Sequence, residues 1–128
     1  MFKCIVSNGD LTSEIIGQNI NHDDAFNSFK GVEWAEKLKF HRSLLKKGQK
    51  NEEPPAFTIA CEERNDWLIL TPLFSDEITW NVRWGQWISG NHIVRNSYSP
   101  NKQPPEAYLR EYISGNAHFL TKNTEAPS

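Results

Sequence analysis

Residues 56–98 read AFTIACEERNDWLILTPLFSDEITWNVRWGQWISGNHIVRNSY. Four β-rich runs can be cut from it, at 56–63, 67–74, 78–87 and 92–98. They are separated by Asn65-Asp66, by Ser75-Asp76-Glu77 and by Ser89-Gly90-Asn91, residue types that favour turns. Connectors this short join antiparallel neighbours, so the stretch predicts a four-strand meander. Phe57, Ile59 and Cys61 alternate with small or polar residues, and Ile78, Trp80, Val82 and Trp84 alternate with Thr79, Asn81, Arg83 and Gly85. A period of two gives each strand one apolar face. Trp80 and Trp84 therefore belong to the buried side, whereas Trp87 falls out of phase and is expected at the surface.

Toward the N-terminus, residues 2–6 form a short strand, Asn8-Gly9-Asp10 a turn, and residues 14–16 a second strand, which together predict a hairpin. Asp23 and Asp24 are candidate N-caps for a helix whose apolar positions are Phe26, Phe29, Val32, Ala35, Leu38 and Leu45. Gly31 divides this segment, because glycine within a helix costs about 1 kcal/mol relative to alanine, and the main helix is expected over 32–47. Polar, proline-bearing loops occupy 49–55 and 99–105. Beyond the second, Pro105-Glu106 opens a helix with Tyr108, Leu109, Tyr112 and Ile113 on one side and Gly115 past its end. The polar tail, 122–128, is expected to fray. The expected fold class is α+β, with an antiparallel sheet of five or six strands (meander plus N-terminal hairpin) and two helices packed on it.

A length of 128 residues suits one domain spanning 1–128. The chain is 38% hydrophobic and 12% aromatic, enough to build a core without metal or disulfide support. No apolar run reaches the roughly 18–20 residues that span a bilayer. Residues 1–10 lack the pattern of a secretory leader, so the cytoplasm is the expected location. Cys4 and Cys61 lie in strand-like runs and read as buried thiols. No Cys or His spacing suggests zinc, and neither metal nor cofactor is expected.

The chemistry-bearing patterns are sparse. No nucleotide-binding glycine loop, GxSxG or HExxH is present. His22, His41, His92 and His118 are far apart, and only a His92 and His118 pair near Tyr98 offers a ribonuclease-like arrangement. Trp80, Trp84, Trp87 and Tyr98, interleaved with Arg83 and Arg95, offer a stacking platform for single-stranded nucleic acid. Charge distribution argues against that platform. Between Glu52 and Glu77, seven acids face one base, a local charge of −6, while the remaining nine acids and thirteen bases give +4. Such a segment reads either as ordinary solvated turns or as an anionic docking face for a basic protein, where complementary charge speeds encounter and selects the partner. The candidate partner-binding residues are Glu62, Glu63, Asp66, Asp76, Glu77 and the exposed Trp87, with Glu52 at the rim.

The order of elements also resembles a known family. Val32-Glu33-Trp34-Ala35-Glu36-Lys37-Leu38, the run 67–74 followed by Ser75-Asp76-Glu77, and Pro104-Pro105-Glu106-Ala107-Tyr108-Leu109-Arg110 are similar to immunity proteins of bacterial contact-dependent growth inhibition systems. The likeness spans about residues 30–115 and consists of element order and aromatic placement. It implies a cytosolic protein that binds the toxin domain of a cognate delivery protein, often a nuclease, and needs no catalytic residue. A single-stranded nucleic-acid-binding module, or a small hydrolase or ribonuclease, is the alternative.

Overall fold

The structure is a computed structural model, and it describes residues 1–48, 53–73, 77–98 and 101–126. Chain order is β1 (Phe2–Ser7), β2 (Ser13–Ile20), α1 (His22–Lys30), α2 (Trp34–Lys46), β3 (Ala56–Cys61), a 3₁₀ turn (Glu62–Arg64), β4 (Asp66–Leu73), β5 (Thr79–Ile88), β6 (Asn91–Ser97), α3 (Pro105–Ser114) and α4 (Ala117–Lys122). The six strands form one antiparallel sheet in the order β2-β1-β3-β4-β5-β6. The expected meander and hairpin are both present, and β1 joins them by pairing with β3. Among the described residues, no helix is long and apolar enough to cross a membrane.

The helices cover one face of the sheet. Phe29 of α1 touches Phe57 on β3 and Trp80 on β5, with ring centroids 5.3 and 5.4 Å apart. Trp34 of α2 meets Trp80 edge-on at 5.7 Å. Tyr112 of α3 lies 6.3 Å from Phe2 on β1, and Phe119 of α4 packs against Tyr108. The inward alternation supplies the matching surface: Phe2, Cys4 and Val6, then Phe57, Ile59 and Cys61, then Leu68 and Leu70, then Trp80, Val82 and Trp84 are all buried. Burial of groups this large is the main source of stability in a domain of this size.

Among the described residues four helices stand where two were expected. Gly31 caps α1 and divides it from α2. The N-cap of α1 is Asn21, whose side chain accepts from the Asp24 amide at 2.9 Å, while Asp23 and Asp24 sit in the first turn. In α2 the buried stripe is Trp34 and Leu38, with Ala35 and Leu45 exposed, because Gly31 resets the helical phase. The additional helix, α4, starts from Asn116, whose side chain accepts from the Phe119 amide at 3.1 Å.

The chain beyond α4 does not fray within the described residues. Asn123 and Thr124 are buried, and Asn96 pairs with Glu125 as an antiparallel bridge. Arg95 explains this. Its partner across β5 is Trp84, so its side chain lies on the helix-covered face. There the guanidinium needs acceptors, which it finds in Thr124 Oγ1 (3.0 Å), Thr121 O (3.0 Å) and Thr124 O (2.8 Å).

Candidate functional site

With every helix on one side, the opposite face of the sheet is uncovered among the described residues. Its outward positions follow the second phase of the same alternation, including Trp67 on β4, Arg83, Gly85 and Trp87 on β5, and His92 and Val94 on β6. At the end of this face formed by the β5–β6 turn, three rings gather. Trp87 stacks on His92 with centroids 5.0 Å apart and planes 23° from parallel. Trp67 lies 5.7 Å from the same imidazole and donates its indole N–H to His92 Nε2 at 3.3 Å. An indole nitrogen only donates, so His92 Nε2 is the acceptor in this contact.

Gly85 makes this packing possible. It pairs directly with Trp67 across the two strands, and a Cβ there would lie 2.1 Å from the Trp67 ring. The missing side chain lets the indole lie flat on the β5 backbone. Ser89 and Gly90, with φ of 51° and 80°, complete a two-residue turn of the kind that matches strand twist. The result is a braced Trp87 that remains 57% exposed, beside an exposed Ile88.

The acidic residues fall into separate places. Glu62 and Glu63 lie on the 3₁₀ turn between β3 and β4, tied to the aromatic end because the Trp87 amide donates to Asn65 O at 3.3 Å. Glu63 takes hydrogen bonds from its own amide, the Cys61 thiol and the Met1 amine, which hold its carboxyl below the usual range. Asp66 turns to the helix-covered side. It accepts from the Tyr112 hydroxyl at 2.7 Å and pairs with Arg64 at 3.5 Å. Its carboxylate is thus committed to the joint between β4 and α3, where Arg64 also donates to Tyr112 O at 2.8 Å. Glu77 is exposed just before β5, at the far end of the sheet from Trp87, and Asp76 lies outside the described residues, as does Glu52. The structure therefore puts Trp87 and the Glu62–Arg64 turn at one end of the sheet and Glu77 at the other.

The pairings proposed for the other chemistries also separate. His92 is on the uncovered face, whereas His118 is on α4, across the sheet. Trp80 and Trp84 are buried, and Arg95 is engaged beneath α4, leaving Arg83 and Trp87 of that platform on the open face and Tyr98 exposed just past the end of β6. Among the described residues no cluster of three or more His, Cys, Asp or Glu side chains could hold a metal ion. Trp67 was missed as a site residue, and His92 was a candidate only as half of a ribonuclease-like pair, not as part of an aromatic cluster. The available signal was the glycine in β5 opposite a tryptophan, which marks a close approach.

No model of a known protein family, no curated protein and no solved structure matches this chain.

Proposed function

We propose that the chain binds a protein partner through the Trp67–Trp87–His92 end of its uncovered sheet face, and that the partner is a toxin domain which it neutralises in the cytoplasm. The observation that carries the reading is the braced, exposed Trp87. An aromatic side chain held in place before binding loses little conformational freedom on association, and such anchors dominate interface energetics, costing about 2 kcal/mol or more when truncated. Glu62, on the turn at the same end of the sheet, favours a basic partner and a faster encounter at low salt, while Glu63 there already faces the Met1 amine. The toxin-domain version rests on the resemblance in element order and aromatic placement.

The test is a titration of the chain with the toxin domain encoded by the gene immediately upstream, together with growth of cells expressing that domain. The expected result is a stoichiometric complex and rescue of growth, both weakened at least tenfold by Trp87→Ala. Absence of a complex, or a complex indifferent to Trp87→Ala, overturns the proposal.

One observation favours a second reading. The outward positions of β1 and of β3 to β6 carry Lys3 and Arg83 but no carboxylate, so the aromatic cluster lies on a mildly cationic face. Stacked aromatics beside cations bind single-stranded nucleic acid. Fluorescence titration with oligothymidylate separates the two: micromolar affinity without toxin binding selects nucleic acid.

A further inference from the structure

We infer that the free edge of β2, with the groove between it and α2, is a second docking surface, built for an extended partner segment that alternates apolar and basic residues and adds to the sheet as a seventh strand. The inference is independent of the Trp87 end, which lies across the sheet at β5 and β6.

Three observations converge on it. First, β2 is the end strand of the sheet and almost wholly exposed. Its outer backbone groups have no strand partner among the described residues, which is the arrangement that accepts an added strand. Its pairing with β1 is regular from Ser13 to Ile15 and irregular nearer Ile20, so Ser13–Ile15 is the usable segment. Second, the groove of about 680 Å³ beside it is floored by Thr12, Glu14 and Ile16. They stand at alternate positions along the chain, with Thr12 just before the strand, Glu14 in its regular part and Ile16 at the register shift, so the regular part offers an extended segment the strand's own repeat of about 6.6–6.8 Å. Third, the groove is negative and partly apolar. Asp10, Glu14, Glu33 and Glu36 line it against Lys37, whose ammonium is held by Asn8 Oδ1 at 2.7 Å. Hydrogen bonds from the Thr12 hydroxyl and amide hold the Asp10 carboxyl below its usual range, so it stays charged into the acid range. Phe40 and Ile16, 47% and 37% exposed, supply apolar contacts between these carboxylates. Lysines or arginines alternating with leucine-like residues complement both properties at once.

The probe is a twelve-residue peptide alternating Leu and Lys, added to the ¹⁵N-labelled full chain and followed by NMR. Two isomers of it carry N-methyl groups on opposite alternate amides. The expected result is shifts confined to Thr12–Ile16, Gly31–Glu33 and Phe40, weakened at least tenfold by Glu14→Lys with Glu36→Lys and unaffected by Trp87→Ala. One methylated isomer should bind and the other should lose at least tenfold, because only one set of amides faces β2. Equal binding of a Ser/Lys or a Leu/Glu peptide overturns the inference, as do shifts centred elsewhere, no shifts, or equal affinity of the two isomers.

Discussion

Replacing Gly85 with alanine tests whether the aromatic site is built as described. The added Cβ would stand 2.1 and 2.2 Å from two atoms of the Trp67 ring. Ordinary contact begins near 3.4 Å, so the indole must move by more than an ångström. It cannot do so and keep its 3.3 Å hydrogen bond to His92. Overpacking of this kind costs about 1–3 kcal/mol. Removing a glycine from a strand returns roughly 0.5–1 kcal/mol of backbone entropy, and the lost hydrogen bond costs about 1 kcal/mol. The expected net is a loss of about 1–3 kcal/mol, read as a lower urea midpoint with an unchanged slope. Because His92 also supports Trp87, the variant should weaken partner binding more than its stability loss accounts for, with Trp87 itself intact. The indole N–H resonance of Trp67 reports the displacement directly. A variant as stable as the parent, with that resonance unmoved, would refute both the close approach and the bracing.

Trp34→Ala and Trp80→Ala should each cost about 3–5 kcal/mol in chemical denaturation, since both rings pack in the Phe29–Phe57 cluster, and should leave the partner affinity of the folded fraction unchanged. Burial pushes the Cys4 thiol up to about 12. It therefore stays protonated where an unfolded cysteine ionises, and it should resist a disulfide reagent at pH 8 until the chain unfolds; the group's contribution to stability is complete below the unfolded value near 8.5 and is lost as pH rises toward 12. Arg95→Ala should remove three hydrogen bonds and raise amide exchange at 121–125 well before the sheet opens. Tyr112→Phe should cost about 1–2 kcal/mol through the lost bond to Asp66.

The period-two alternation of residues 56–98 was enough to read the meander, the buried Trp80 and Trp84 and the exposed Trp87, because each follows from local phase. Helix starts were less legible. Asn21 and Asn116 both act as N-caps, but Asp23 and Asp24 compete for the first role, and Gly115 masks the second by ending α3. Side-chain destinations were hardest to read. Asp66 and Glu63 are three residues apart in one charged run, yet one is drawn inward by Tyr112 and the other stays outside. That difference depends on α3, more than forty residues away. The groove beside β2 was invisible for the same reason: its carboxylates come from a turn, a strand and a helix that only the fold assembles.

The clasp on Arg95 bears on how the chain is made. Its acceptors follow it by 26 and 29 residues. At a synthesis rate of 5–20 residues per second, the last of them is added about 1.5–6 seconds after Arg95. During that interval the β5–β6 hairpin can pair, but its guanidinium has no place on the apolar face and must remain in water. Docking of residues 121–124 over Arg95 therefore follows pairing of the β5–β6 hairpin by at least that interval.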